Sequence, residues 1–414
     1  MISRRQFIQQ SAVFGTGSLL APHVLLPRTA HASTTKKNIV FITCFGGWDP
    51  TRALVPAFDN PLVSMETEAE PMQFADLQLV DHPRRPSVRR FFQDFAPSTA
   101  VIHGILTPSV AHVACLRLIK TGAISSKPDW ASILSHELYT DAPLPHLAIS
   151  GEVFPEQFSS LFARTGSGGQ LEALLDGTLS TWSDIPMAQV DSRLLIAEQE
   201  MRQRRMGQLI ESNNSDIFKQ ANVSRERATL LQERASRVQW GSDGSFLGDC
   251  LLAADILEQG ISPCLSITHP SLWDSHSNND VYQHWLWEDL FFTLSEFCTT
   301  LQERRGVGAS LLDETTIVVC SDMGRSPNLN GDLGKDHWPY SSAMIIDSHI
   351  QGGRAFGGYD EYFAGMPMDL GTGDGFAGGE VFTASHFGAT LLEIQGVDWR
   401  EYLPNAMPIS AILA

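Results

Sequence analysis

Unbroken apolar runs, not alternating ones, recur along the chain at 39–44 (IVFITC), 100–104 (AVIHG), 145–150 (PHLAIS), 263–268 (PCLSIT), 315–320 (TTIVVC) and 342–346 (SAMII). A strand covered on one face alternates apolar and polar side chains, so continuous runs predict parallel strands buried on both faces. Between them the period becomes helical. At 280–304, Trp287, Leu290, Phe291, Leu294, Phe297, Cys298 and Leu301 keep the spacing of one buried face. Further helices are predicted at 110–121, 128–138 (opened by Pro128-Asp129), 244–259 and 383–396. Strand and helix in alternation predict an α/β three-layer sandwich, with a mostly parallel central sheet and helices on both faces.

Three segments depart from that rhythm. Residues 191–240 are rich in Arg, Gln and Glu and broken by SNNSD, which predicts a helical insertion that covers or flanks the sheet. The stretch 350–380 is Gly-rich but carries Phe356, Tyr359, Tyr362 and Phe363, so it is expected to be a long ordered loop anchored by its aromatics. The start, Ser3-Arg4-Arg5-Gln6-Phe7 followed by a short apolar segment and Ala30-His31-Ala32, has the form of a twin-arginine signal peptide over 1–32. The mature domain is then expected at 33–414, periplasmic or extracellular, with the twin-arginine translocase as partner during export.

Composition narrows the picture. With 43% hydrophobic and 18% charged residues a large core is expected, and no later apolar run is long enough for a permanent membrane span. The formal charge is -18, and the signal holds three arginines and no acid, so the mature chain sits near -21. Such a surface repels phosphate backbones, which argues against nucleic-acid binding. The six cysteines, Cys44, Cys115, Cys250, Cys264, Cys298 and Cys320, form no C-x-x-C pair and read as buried thiols, with one opportunistic disulfide open.

Polar loops follow the predicted strand ends, where open α/β sheets place their ligand crevice. They are Gly46-Gly47-Trp48-Asp49, Leu272 to Asn279, Ser321 to Pro327, and Lys335-Asp336-His337-Trp338-Pro339. Asp274 and His276, two apart in an extended loop, project to one side and can converge on an ion. Singly, an Asp after a strand is commonly a cap and a His commonly a hydrogen-bonded group. Four such loops on one sheet edge favour a site. Trp48, Trp273 and Trp338 are expected either to stack on a sugar or to wall the pocket.

The loops WDSHSNN, SDMGRSPNLNG and GKDHWPYS, with GGRAFGGYD and ASHFGATLLEIQGVD, resemble the exported bacterial family of domain of unknown function 1501. That family is related in fold to alkaline phosphatases, sulfatases and cofactor-independent phosphoglycerate mutases, so the resemblance implies an alkaline-phosphatase-like sandwich. It also implies metal ligands at Asp49, Asp274, His276, Asp322 and His337, with Asp336 as a ligand or as the carboxylate orienting His337. Arg325 is placed to meet an oxyanion, or equally to pair with Asp322 or a loop carbonyl. Met323 stands where the superfamily's S-D-H-G turn has His.

Superfamily hydrolases carry a nucleophilic Ser, Thr or modified Cys at the start of a helix ending in Thr-Gly. Counting back from Thr121-Gly122, His112 takes that position, with Ser109 and Thr107 a turn early and Cys115 inside the helix. His112 is open to being a ligand, a nucleophile or an acid/base, and ligation is favoured because imidazole suits zinc. The expected function is metal-dependent hydrolysis of a phosphate or sulfate ester, on a small anionic ester or a sulfated or phosphorylated glycan. The cofactor is a divalent metal, zinc, calcium or magnesium. The alternative is a catalytically silent member that binds the envelope or carbohydrate.

Overall fold

The computed structural model describes residues 38–166, 171, 200–201, 204, 216–240 and 242–413. The signal read at 1–32 and much of the insertion read at 191–240 lie outside them. Strand β1 (Asn38–Cys44) sits inside an eight-stranded sheet with β4 (Thr99–Leu106), β5 (His146–Ala148), β6 (Phe162–Arg164), β7 (Cys264–Thr268), β8 (Thr315–Ser321), β11 (Tyr340–Ile346) and β12 (Arg354–Phe356). Their order is β12-β4-β11-β8-β1-β7-β5-β6. The pairs β1–β7, β1–β8, β5–β7, β5–β6 and β4–β12 are parallel. The six runs read from the sequence are all strands, but 342–346 is not a parallel one: β11 runs antiparallel to both β4 and β8. The cause is the connection. No crossover helix separates β8 from β11, only the short ribbon of β9 (Gly324–Arg325) and β10 (His337–Trp338), and a parallel return requires a crossover.

Side-chain alternation sends the sheet's residues into two cores. Val40, Ile42 and Cys44 of β1 join α1 (Pro86–Phe95), α5 (Phe246–Glu258) and α6 (Asn279–Glu303) on one face. Ile39 and Phe41 join α2 (His112–Thr121), α3 (Trp130–Leu138) and α7 (Ala384–Ile394) on the other. The predicted helices are present, trimmed at their ends by capping. Asp129 accepts from the Ser132 amide at 2.9 Å and so starts α3 one residue later, and Ser245 does the same for α5 through Gly248 at 3.0 Å. Within the insertion, α4 spans Asp216–Ala235.

Helix α1 and the hairpin β2 (Glu70–Phe74)–β3 (Leu77–Asp81) were not foreseen. Val88, Phe91, Phe92 and Phe95 of α1 are all buried, and the rings of Phe91 and Phe92 lie 5.2 and 5.3 Å from Phe291 of α6. All six cysteines are free and buried, and burial raises the thiol pKa values of Cys44, Cys250, Cys264, Cys298 and Cys320. No described helix is long and apolar enough to cross a membrane.

Candidate metal centre

Three imidazoles and one carboxylate meet beyond the carboxyl ends of β1, β7 and β8. His112 opens α2, Asp274 and His276 lie in the loop after β7, and His337 begins β10. In each ring Nδ1 is tied to an oxygen outside the cluster. His112 Nδ1 lies 2.7 Å from Asp322 Oδ2, His276 Nδ1 3.0 Å from Asp336 Oδ1, and His337 Nδ1 2.7 Å from the Val110 carbonyl. Those acceptors fix the Nδ1–H tautomer and leave the Nε2 lone pair pointing inward, the outer-shell arrangement by which proteins orient metal-binding histidines. The inward atoms converge on Asp274. His112 Nε2 is 3.5 Å from its Oδ2, while His276 Nε2 and His337 Nε2 are 3.2 and 3.6 Å from Oδ1. His112 Nε2 is buried with no hydrogen-bond partner, and His276 Nε2 faces His337 Nε2 at 2.8 Å. Donor atoms of His112, Asp274 and His337 can reach one ion together, and His276 borders the same point. An N3O set of this kind suits a tetrahedral zinc-type ion. Calcium and magnesium prefer all-oxygen shells, so the residues fit them poorly.

Asp322 and Asp336 therefore stand behind the imidazoles, holding His112 and His276. Asp322 Oδ1 takes the amides of Gly46 and Gly47, each at 2.9 Å, and Oδ2 holds His112, so both its oxygens are occupied. The Asp322 hydrogen bond pulls the His112 pKa above its ordinary value. Asp336 orients His276, not His337 as expected. Burial lowers the His337 pKa, helped by the neighbouring positive groups. Burial alone would raise the Asp274 pKa, but the hydrogen bond and charge of Arg325 outweigh it and the carboxyl is held low.

Two expected members lie elsewhere. Asp49 is fully buried among Lys335 Nζ at 2.9 Å, Arg52 at 3.5 Å, Asn279 Nδ2 at 2.9 Å and Thr51 Oγ1 at 2.6 Å, which uses its oxygens and keeps it out of the cluster. Burial opposes its ionisation, and Lys335 and Arg52 overcome that and drive its pKa well below the carboxylate range. Arg325 is not open to an oxyanion. Its guanidinium donates to the carbonyls of Gly46, Gly47 and Lys335 and to Asp274 Oδ1, and is fully buried. Arg325 and Asp322 thus clamp the Gly46–Gly47 turn from both sides. Only glycine fits that turn: φ is +114° at Gly46, where a Cβ would lie 2.7 Å from the Asp274 amide nitrogen.

Trp48 and Trp273 do not face a ligand. Both are fully buried and pack with Trp287, at ring separations of 4.8 and 5.2 Å from it. Trp338 is half-buried and donates to the Phe363 carbonyl at 2.8 Å. The two hydroxyls before α2 are engaged with backbone: Thr107 Oγ1 donates to the Pro339 carbonyl, and Ser109 Oγ accepts from the Ala111 amide. Ala111 is the N-cap of α2, and Gly122 closes it in the left-handed region. Lys335, named in the fourth polar loop, carried no role of its own in the sequence. Fully buried, its pKa is pushed down to about 8 by burial against the pull of Asp49.

Residues 196–369 match the family described as "Protein of unknown function (DUF1501)". The resemblance read from the loops therefore holds, and the matched stretch contains WDSHSNN, SDMGRSPNLNG, GKDHWPYS and GGRAFGGYD. No curated protein matches the chain. Among solved structures the chain is similar to a protein in the alkaline phosphatase superfamily from Vibrio parahaemolyticus, at 12% identity over 88% of this chain and 67% of that one, TM-score 0.36. It is similar to the phosphonate monoester hydrolase of Agrobacterium radiobacter at 9% identity over 90% and 78%, TM-score 0.34. It is also similar to a protein solved with its substrate D-glucosamine-2-N,6-O-disulfate, at 11% identity over 90% and 81%, TM-score 0.32.

Proposed function

We propose that the protein is an exported, metal-dependent hydrolase of phosphate or sulfate esters, with one zinc-type ion held by His112, Asp274, His276 and His337. The supporting observation is the convergence of three Nε2 atoms on one carboxylate, each ring held from behind through its Nδ1. A metal bound there supplies a Lewis acid for the ester oxygen and lowers the pKa of water. The chain's own residues orient: Asp322, Asp336 and the Val110 carbonyl hold the rings, and Arg325 holds Asp274. Thr107 and Ser109 are both engaged with backbone groups, which supports attack by water and not by a hydroxyl of this helix start. Export is by the twin-arginine signal at 1–32, to the periplasm or beyond, and the acidic surface leaves nucleic acid out.

The test is elemental analysis of protein purified without added metal, followed by turnover of 4-nitrophenyl phosphate, 4-nitrophenyl sulfate and phosphonate monoesters with and without a chelator. About one zinc per chain and chelator-sensitive release of nitrophenol are expected. A second reading has its own support: Met323 is fully buried, and Lys335 closes Asp49 off from a second ion. A metal-loaded chain that turns over no ester would favour that catalytically silent, carbohydrate- or envelope-binding protein.

A further inference from the structure

A second concavity lies away from the imidazoles. It encloses about 650 Å³, in the range of small-molecule sites. It is joined to the metal centre through one residue, since Trp338 follows His337 and its indole donates to the carbonyl of Phe363 in the cavity wall. Its polar core is made by a β-bulge: Ser341 pairs with Ile105 and Ala343 with Ile102, so Ser342 is opposed by both His103 and Gly104. Gly104, at φ +72°, is required there, because a Cβ would lie 2.8 Å from the Gly358 carbonyl oxygen.

The bulge sets up a chain of hydrogen bonds. Tyr359 OH lies 3.0 Å from Ser342 Oγ, and Ser342 Oγ lies 2.9 Å from His103 Nδ1. A relay in which Tyr359 donates to Ser342 and Ser342 to His103 places the proton of the neutral imidazole on Nε2. His103 is 9% exposed, and no described residue partners its Nε2, although the residue lines the cavity. The rim is acidic. Asp59, Asp76 and Glu361 make no ion pair with described residues, and no Lys or Arg lines the cavity. Asp360 spends its Oδ1 on the amides of Tyr362 and Ala364, at 2.9 Å each, and so holds the turn that carries Glu361 and the exposed ring of Tyr362 to the edge.

We infer that this cavity is a binding site for a small hydroxylated ammonium ligand, an amino sugar with a free amine, distinct from the metal centre. The carboxylates attract the ammonium and accept from hydroxyls, His103 Nε2–H donates to a ring hydroxyl, and Tyr362 offers an aromatic face. The same charges repel an anion.

The experiment is calorimetric titration of the full chain with D-glucosamine and with N-acetyl-D-glucosamine, which has the same ring without the charge. The measurements are repeated on the double variant Asp76→Asn, Glu361→Gln and on His276→Ala. Glucosamine is expected to bind about tenfold more tightly than the N-acetyl sugar, to lose about that factor in the double variant, and to bind His276→Ala unchanged. Equal affinity for the two sugars, an unaffected double variant, or no binding at millimolar glucosamine would overturn the inference. Loss of binding in His276→Ala would assign the amine to the metal centre instead and overturn it too. Both variants change exposed side chains, and far-ultraviolet circular dichroism confirms their folding.

Discussion

Nε2 of His276 and Nε2 of His337 face each other at 2.8 Å while both Nδ1 atoms already donate to oxygen, so neither ring has a proton to give the other. Two lone pairs at that separation repel. A positive charge has to lie between them, either a second proton on one ring or a metal ion.

If it is a metal, each of His112→Ala, Asp274→Ala, His276→Ala and His337→Ala lowers metal content measured by mass spectrometry. Asp322→Asn and Asp336→Asn keep the ligands and lose their orientation, so the expected cost is about 10–100-fold in metal affinity in a chelator competition. Full occupancy in the four alanine variants would remove these residues from the site.

Asp49→Asn separates a ligand from a structural charge. Because Asp49 is spent on Lys335, Arg52, Asn279 and Thr51, the variant is expected to keep its metal. It leaves two buried cations short of a counter-charge and should cost about 3–5 kcal/mol in urea unfolding. Loss of metal without loss of stability would return Asp49 to the centre.

Arg325→Lys keeps the charge and loses the fork. A lysine cannot bridge the Gly46, Gly47 and Lys335 carbonyls and Asp274 together, so several buried acceptors lose partners at about 1–3 kcal/mol each. The midpoint of thermal unfolding should fall sharply. An unchanged midpoint with weakened anion binding would give Arg325 the role first expected of it.

Acid sensitivity should trace to two buried histidines away from the metal. Burial pushes His103 and His146 down to about 4. An unfolded histidine titrates near 6.5, so between about 6.5 and 4 the unfolded chain binds protons that the folded one refuses. Stability thus falls as pH drops through that window, by up to about 1.4 kcal/mol per pH unit for each. Denaturation curves from pH 7 to 4.5 should flatten in His146→Gln relative to wild type; parallel slopes would exclude that histidine.

Much of the architecture is legible because burial on both faces writes itself as unbroken apolar runs, and all six became strands. Strand direction was not legible, since β11 is as apolar as its parallel neighbours and only its connection reverses it. Helix α1 was missed although Val88, Phe91, Phe92 and Phe95 carry a helical period, because the flanking arginines Arg84, Arg85, Arg89 and Arg90 mask it. At the site, residue type and the polar loops pointed to Asp274, His276 and His337, whereas His112 came only from the resemblance, by its distance from Thr121-Gly122. They could not tell ligand from support: Asp49, Asp322 and Asp274 read alike in one dimension, and only the lysine, glycine amides and imidazole beside each decide its role.

The reversed strand has a consequence for the centre. A seven-residue strand is roughly 20 Å long. Had β11 run with its neighbours, its first residue and the His337 just before it would emerge at the far edge of the sheet, out of reach of Asp274. Because it runs backward, one continuous stretch from Asp322 to Ile346 delivers an orienting carboxylate, the arginine clamp and the His337 imidazole to the same rim. That stretch is a natural cassette for exchange between related chains. A transplant of 322–346 would move half of the centre's support as a unit, whereas a graft of His337 alone would arrive without the direction of travel that brings it home.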